Sequence, residues 1–146
     1  MKILVPVDGS ASSIIGLEKA VEYAQKFSAE LLLINVQHDH YTDEAMLGLR
    51  APLVTLNADQ LEEIGNRVLD QMTATIKDGT VKIVKRVLFG DPADSIVAFA
   101  EEEKVDRIII GSKGLTGIKR FMLGSVALKV ATYAHCTVVI VKPNEA

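Results

Sequence analysis

A cluster of glycine and serine residues in the last third of the chain has the residue types that bind phosphate. Gly111-Ser112-Lys113-Gly114 is followed, after nine further residues, by Gly124-Ser125. Glycines let the backbone approach an anion closely and take positive φ angles, so that successive N–H groups can point at phosphate oxygens. Ser125 and Val126 fall where a following helix would have unpaired N–H groups and the positive end of its dipole. The pattern therefore predicts a phosphate-binding loop.

These glycines also have a simpler interpretation, which is a tight turn followed by a helix cap. One or two glycines at the end of a strand most often serve that purpose. Here several glycines share one loop with Ser125, which favours phosphate binding: Gly111, Gly114, Gly117 and Gly124. The spacing matches neither G-x-x-x-x-G-K-[ST] nor G-x-G-x-x-G, so the loop is neither a P-loop nor a dinucleotide fingerprint.

Alternating strands and helices must position this loop. Short apolar runs predict strands that are buried on both faces, and segments with helical spacing separate them. The order βαβαβαβαβ predicts parallel strands, right-handed crossovers and helices on both faces of the sheet. The predicted fold is therefore α/β, with one doubly wound, Rossmann-like sheet of five parallel strands. The strands are expected at residues 2–7, 30–36, 81–88, 107–110 and 137–141.

The ends of these strands are where a ligand is expected. In a doubly wound sheet, ligands bind beyond the carboxyl ends of the strands, at the point where the winding reverses direction. The first helix is expected to begin with Ser12 or Ser13 as its cap. The segments at the ligand-binding end are residues 6–10, 35–37, 88–90 and 111–117.

Composition and charge limit the classes of protein that this chain can be. Because 49% of its 146 residues are hydrophobic, the chain has enough apolar material for one buried core, and one domain over residues 1–146 is expected. The net charge of −3 argues against binding nucleic acid through a basic surface. The apolar run after Met1 is too short for a signal peptide, and no stretch approaches the length of a membrane span. A cytoplasmic protein without membrane contact is expected.

The glycine motif and three other segments resemble the universal stress protein family in order and spacing. The motif Gly111-x2-Gly114-x9-Gly124-Ser125 looks like the nucleotide signature of that family. The opening strand at residues 3–10, the turn Gly90-Asp91-Pro92 and the closing strand at residues 138–143 match as well. The resemblance covers nearly the whole chain. It implies an ATP-binding member with the adenine-nucleotide α-hydrolase-like fold.

The resemblance also implies which residues contact each part of the nucleotide. The adenine and ribose end would be lined by Pro6, Val7, Asp8 and Val36. Ribose and the first phosphates would contact Gly111, Ser112, Lys113 and Gly114, and the remaining phosphates Gly124, Ser125 and Val126. The implied ligand is ATP, with ADP and AMP as alternatives and with Mg²⁺ or Mn²⁺ bound through the phosphates. For Pro6, Val7 and Val36, ordinary strand packing is the alternative.

Asp8 has two interpretations that the sequence does not separate. Its carboxylate could hydrogen-bond the sugar or help to position a divalent metal ion that bridges phosphate oxygens. Alternatively, it could form an Asx turn with the two residues that follow. The histidines and acids of the polar segment that begins with His38 are metal-ligand types, but they are expected to be solvated.

The fifth strand predicts association between two copies of the chain. Residues 137–141 are apolar and are expected at an edge of the sheet, where unpaired backbone groups invite pairing with another strand. A homodimer that pairs this strand with its copy is predicted, and the resemblance implies the same dimer. The alternative is that the C-terminal tail or a helix shields the edge.

Residues 37–56 form a long segment to which the resemblance assigns no role.

No group of residues in the sequence identifies a catalytic centre. Ser10, Ser112 and Ser125 have no evident triad partners, and no histidine lies in a pattern typical of a general base. We therefore expect a nucleotide-dependent sensor or regulator that acts on an unknown protein partner, with little or no ATP hydrolysis. One alternative is an adenylate-forming or ATP-cleaving enzyme of the same fold group, although the typical Ser-Gly-Gly-x-Asp-Ser loop is not present after the first strand. The other alternative is a dimeric interaction protein that works without nucleotide.

Overall fold

Five strands alternate with four helices along the residues that the computed structural model describes, which are 1–38, 56–77, 79–113 and 123–143. The strands are β1 (Lys2–Pro6), β2 (Glu30–Gln37), β3 (Ile83–Phe89), β4 (Arg107–Gly111) and β5 (Thr137–Val141). The helices are α1 (Ala11–Phe27), α2 (Ala58–Thr73), α3 (Pro92–Glu102) and α4 (Ser125–Tyr133). The predicted order of strands and helices is confirmed.

The strands form a parallel sheet in the order β3-β2-β1-β4-β5. β1 lies at the centre, paired with β2 on one side and with β4 on the other. The chain therefore winds from β1 through β2 to β3 in one direction, and from β4 to β5 in the other. The predicted doubly wound, five-stranded sheet is confirmed, and the winding reverses between β1 and β4.

Each face of the sheet is covered by two helices. Alternate residues of a strand point to opposite faces, so β1 contributes Ile3 and Val5 to one core and Leu4 to the other. α1 and α2 cover the first core with Leu17 and Leu69, and α3 and α4 cover the second with Ile96 and Val130. Burial on both sides explains why the centres of β1, β2 and β4 are continuous apolar runs rather than alternating.

The N-cap of α1 lies two or three residues earlier in the chain than the sequence predicted. Its N-cap is Ser10, whose Oγ accepts a hydrogen bond from the Ser13 N–H at 3.1 Å. The expectation that Ser12 or Ser13 caps this helix is wrong. The reason is Gly9, whose φ of 85° turns the chain so that Ser10 is already the capping residue.

The starts of α2 and α3 follow the local sequence signals. Asn57 and Gln60 form a capping box at the start of α2. Asp91 caps α3 by accepting from the Asp94 N–H at 2.9 Å, and Pro92 occupies the first turn.

In the described ranges, no helix combines the length and the apolar character that crossing a bilayer requires.

The two edge strands differ in charge. β3 carries Lys85 and Arg86 exposed at its centre, and Lys85 pairs with Asp70 of α2 at 2.9 Å. β5 consists of one threonine and four aliphatic residues. Its position at an edge agrees with the expectation from the sequence.

Candidate functional site

The carboxyl ends of β1 and β4, which are neighbouring strands, bring two of the predicted segments together. β1 leads into Val7 and Asp8, and β4 ends at Gly111. The start of α4 joins them, because the Gly124 N–H donates to the Ser112 carbonyl at 2.7 Å. The candidate site therefore lies where the winding of the sheet reverses, as the fold rule predicts.

Gly111 has a structural reason to be glycine. A Cβ atom at this position would overlap the carbonyl oxygen and the Oγ of Ser12, in the first turn of α1. One turn further along α1, a Cβ at Gly16 would lie 3.0 Å from the Gly111 nitrogen. Gly111 therefore lets the start of α1 approach the end of β4, whether or not a ligand is bound.

Two backbone N–H groups of the glycine motif have partners within the protein. The Ser112 N–H donates to the Val141 carbonyl at 3.0 Å, and the Lys113 N–H donates to Ser12 Oγ, also at 3.0 Å. These groups would have to exchange partners before they could bind a phosphate oxygen. Gly114, the next residue of the motif, lies outside the described residues.

α4 begins after a glycine, which has no side chain of its own to serve as a cap. Gly124 is its N-cap, and in the described part of the chain no side chain bonds to the first N–H groups of this helix. The Leu128 N–H makes the first helical bond, to the Gly124 carbonyl at 2.9 Å, so the N–H groups of Ser125, Val126 and Ala127 precede the ladder. Together with the helix dipole, these donors can bind an anion.

The β1 turn (residues 8–10) has the geometry of an Asx turn. The Ser10 N–H donates to Asp8 Oδ1 at 2.9 Å, and Gly9 takes a positive φ. Ser13 Oγ donates to the Ser10 carbonyl at 2.9 Å and holds the turn against α1. The Asx-turn interpretation of Asp8 is confirmed. A role for its carboxylate toward a sugar or a metal ion stays a prediction.

The apolar residues assigned to the adenine end pack into the two cores. Val7 is 3% exposed and belongs to the core under α1 and α2. Pro6 and Val36 are half-buried, and Val36 packs against the core on the opposite face. Strand packing therefore accounts for their side chains, and a contact with adenine stays a prediction.

The sequence patterns did not assign hydrogen-bonding roles in the site to three polar residues: Ser12, Asn35 and Gln37. Ser12 accepts the Lys113 N–H, as described above. Asn35, which is 4% exposed, donates from Nδ2 to the Val7 carbonyl at 2.8 Å and accepts from Gln37 Nε2 at 2.6 Å. A signal was present in the sequence, because an asparagine within a strand buried on both faces needs hydrogen-bond partners.

The start of α3 lies beside α4 and is linked to it by charge. Lys129 Nζ lies 3.0 Å from Asp94 Oδ1 and 3.4 Å from Asp91 Oδ2. The hydrogen bond from the Asp94 N–H, helped by the charge of Lys129, holds the pKa of Asp91 below its ordinary value.

Among the described residues, no group of His, Cys, Asp and Glu could hold a metal ion by itself.

An open groove at the opposite end of the sheet does not share these features. It lies at the amino ends of the strands, and Lys2, Glu30 and Lys82 are among the residues that line it. Its charged groups pair with acids of the protein, as in the 3.0 Å contact between Lys82 Nζ and Glu30 Oε2. The carboxyl ends of β1 and β4 therefore remain the better candidate for a ligand site.

Comparison with known proteins places the chain in a family. The model of the universal stress protein family matches residues 1–142. Universal stress protein MJ0531 of Methanocaldococcus jannaschii is 38% identical over 142 residues, which cover 97% of this chain and 81% of that protein. The solved structure of MJ0577, from the same organism, gives a TM-score of 0.78 at 27% identity and covers 99% of this chain and 97% of that one.

A second solved structure is a universal stress protein in complex with cAMP. Its TM-score is 0.68 at 27% identity, and the match covers 97% of this chain and 96% of that chain. The sequence matches extend over nearly the whole chain, and the structural matches reproduce the doubly wound sheet. The chain therefore belongs to the universal stress protein family.

Proposed function

We propose that this chain binds an adenine nucleotide between the carboxyl ends of β1 and β4, with ATP as the leading ligand and ADP and AMP as alternatives. The observation that carries the proposal is the start of α4. Its first N–H groups lack a side-chain cap in the described part of the chain, and they lie beside the end of β4. An anion at this place would satisfy them.

The other helices provide a comparison within the same molecule. α1, α2 and α3 each begin with a side chain that accepts from an N–H group of the first turn, namely Ser10, Asn57 and Asp91. α4 has Gly124 in the same position, which has no side chain to offer. Because N-terminal N–H groups normally find a partner, the difference favours a ligand at α4. The complex of a family member with cAMP supports a ligand of the adenine-nucleotide class.

Phosphates at α4 would place the sugar and base toward β1 and β2. In this arrangement the β1 turn faces the ribose, and Val36 lies at the far end of the site, near adenine. Mg²⁺ or Mn²⁺ would bind through the phosphates, and Asp8 in the β1 turn would supply a carboxylate to help position the ion. The donor set suits these ions, because Mg²⁺ commonly uses one carboxylate together with phosphate oxygens and water.

We further propose a homodimer that forms through β5. The Val141 carbonyl accepts from Ser112 on the β4 side, so the backbone groups of Val138 and Ile140, at alternate positions, point away from the sheet. β3, the other edge, carries Lys85 and Arg86, and charged residues of this kind discourage pairing between edges. The uncharged β5 is therefore the edge suited to a second copy.

The physiological role proposed here is that of a cytoplasmic sensor or regulator, in which nucleotide binding alters a surface that another protein recognises. Little or no hydrolysis is expected. The Asp8 carboxylate accepts the Ser10 N–H in the β1 turn, which suits a structural role better than proton transfer. An assay that separates released pyrophosphate from released phosphate tests this point. Sustained turnover, or pyrophosphate release with acid or amine substrates, would favour the adenylate-forming alternative.

Nucleotide binding itself is tested on the purified protein in two steps. The protein is denatured and any released small molecule is identified by chromatography. A sample freed of ligand is then titrated with ATP, ADP and AMP in the presence of Mg²⁺ by calorimetry. The proposal predicts a saturable heat for at least one of these nucleotides. Absence of both a released nucleotide and a titration heat would favour a nucleotide-independent interaction protein instead.

A further inference from the structure

The peptide group between Val7 and Asp8, just beyond β1, is held at both of its polar atoms. The Val7 carbonyl accepts from Asn35 Nδ2 at 2.8 Å, and the Asp8 N–H donates to Ser13 Oγ at 3.4 Å. Because a trans peptide group is planar, its C=O and N–H point in opposite directions, and holding one of them fixes the other. The orientation of this peptide group sets the direction in which the chain enters the β1 turn.

The surroundings of Asn35 leave its side-chain amide one orientation. A carbonyl oxygen can only accept, so Nδ2 must face Val7 and Oδ1 must face the opposite way. There Oδ1 accepts from Gln37 Nε2 at 2.6 Å. A Cβ at Gly65 of α2 would lie 3.1 Å from Oδ1, which shows how closely α2 covers this side chain. Asn35 is therefore clamped between β1, β2 and α2.

An amide is an unusual side chain at this position. Leu33 and Ile34, the residues before it in β2, are almost completely buried, and Asn35 itself is 4% exposed. Burying an amide costs free energy unless hydrogen bonds replace those it made with water. Both ends of Asn35 have such bonds, and one of them acts on the backbone that leads into the candidate site.

We propose that Asn35 is a positioning residue for nucleotide binding, whose buried amide orients the peptide group between Val7 and Asp8 and thereby sets the β1 turn for the ribose end of the ligand. This inference rests on the proposed function and adds to it a residue that does not touch the nucleotide. Ser13 acts on the same peptide group from the α1 side, so the turn is held between the sheet and the helix.

The first test replaces Asn35 by an apolar residue of similar size. Asn35→Leu removes the donor to Val7, and its affinity for Mg²⁺-ADP, measured by calorimetry, is expected to be about three- to tenfold weaker. In the nucleotide-free protein, amide hydrogen exchange at Asp8 and Gly9, followed by NMR, is expected to become faster. Val84→Ala is the matched control, since it truncates a half-buried side chain of β3 on the opposite face of the sheet. It should lower stability while leaving affinity and exchange at the turn unchanged.

The second test makes the same effect depend on pH. In Asn35→Asp, an ionised carboxylate cannot donate to the Val7 carbonyl, whereas a protonated carboxyl group can. Burial raises the pKa of a carboxyl group at such a place, so lowering the pH from about 8 to about 5 should restore the donor. The ratio of the Kd of the variant to that of the wild type is expected to fall over this range. Using the ratio removes the effect of protonation of the nucleotide itself.

The outcomes separate this inference from the proposed function. Equal affinity and equal exchange in Asn35→Leu and Val84→Ala would overturn the inference, and so would a pH-independent ratio for Asn35→Asp. A wild-type protein that binds no adenine nucleotide would overturn the proposed function, and with it the link between Asn35 and the ligand. In that case amide exchange at Asp8 and Gly9, which needs no ligand, still decides whether Asn35 positions the turn.

Discussion

Gly111 shows that one glycine can serve both the fold and a ligand site. The residue lies at the end of β4, where a ligand is expected, yet its lack of a side chain is already required by Ser12. A glycine in a nucleotide motif therefore need not touch the nucleotide. Its close packing instead brings the start of α1 and the end of β4 together, and the candidate site lies between them.

Gly111→Ala is expected to lower the free energy of unfolding by about 1–3 kcal/mol, because the added Cβ would overlap backbone and side-chain oxygens of Ser12. Urea unfolding measures the change. Gly79→Ala is the matched control, since a Cβ there would have no neighbour within 4 Å. The control should change stability by no more than about 0.5 kcal/mol. Equal stability of the two variants would contradict the packing role of Gly111.

Sequence patterns located the glycine motif but not its hydrogen-bond partners. Lys113 bonds to Ser12, which lies 101 positions earlier in the chain, and no local pattern connects the two. Asn35 was hidden for a different reason, since it occupies one position in an otherwise apolar strand. Its importance depends on Val7, which lies 28 positions away. Contacts of this kind become visible only when the strands are placed side by side.

At the level of elements, the start of α3 makes stability depend on pH in a way that can be measured. The pKa of Asp91 is lowered in the folded protein, chiefly by the hydrogen bond from the Asp94 N–H. The stabilisation from this carboxylate is therefore present above the ordinary pKa of about 3.9 and is lost as the pH falls through the lower, folded-state value.

Asp91→Ala is expected to lower the free energy of unfolding by about 1 kcal/mol at neutral pH, because α3 loses its cap. The difference from the wild type should shrink as the pH falls below about 4, which urea unfolding at several pH values would measure. Asp91→Asn is the control, because asparagine is also a good cap and does not titrate. A difference between wild type and Asp91→Ala that stays constant down to about pH 2 would show that the charge of Asp91 is not responsible.

Helix starts were predictable where the signal is local. Asn57 and Asp91-Pro92 are caps that can be recognised within a few residues, and both agree with the structure. The cap of α1 was misplaced by two or three residues because the chain turns at Gly9, whose positive φ is a property of the folded turn. A glycine cap at the start of α4 could be expected from Gly124, but its position beside Ser112 required the structure.

For the whole molecule, the contrast between the two sheet edges predicts how copies associate. Ile140→Pro removes a backbone N–H that points away from the sheet, so it should disrupt pairing through β5 while sparing the bonds to β4. Light scattering coupled to size exclusion is expected to give twice the chain mass of 15.8 kDa for the wild type and a single chain mass for the variant.

Lys85→Pro is the control for the dimer, because it makes the same kind of change on β3, the opposite edge. It should leave the dimer intact. A monomeric wild type at micromolar concentration would contradict the dimer. An Ile140→Pro variant that remains dimeric would instead show that the copies associate through another surface.

The parallel, doubly wound arrangement of the sheet was the most predictable property of the molecule. Apolar runs such as residues 30–36 and 107–110 exclude a sheet with one solvated face, and the intervening helices require parallel crossovers. The ligand-binding end then follows from the topology alone. The identity of the ligand does not, because backbone N–H groups at α4 would bind any phosphate, and the adenine class rests on likeness to the family.

The most direct test of nucleotide binding at α4 is a calorimetric titration with Mg²⁺-ATP of the wild type, Ser125→Asp and the uncharged control Ser125→Asn. An aspartate at the start of α4 should leave the free energy of unfolding unchanged or raise it by about 0.3–1 kcal/mol, because its negative charge complements the helix dipole. Its charge should nevertheless repel the phosphates and weaken binding by more than about tenfold, whereas the uncharged Ser125→Asn should weaken it much less. Equal affinity of all three proteins for ATP, or no binding by the wild type, would contradict nucleotide binding at the start of α4.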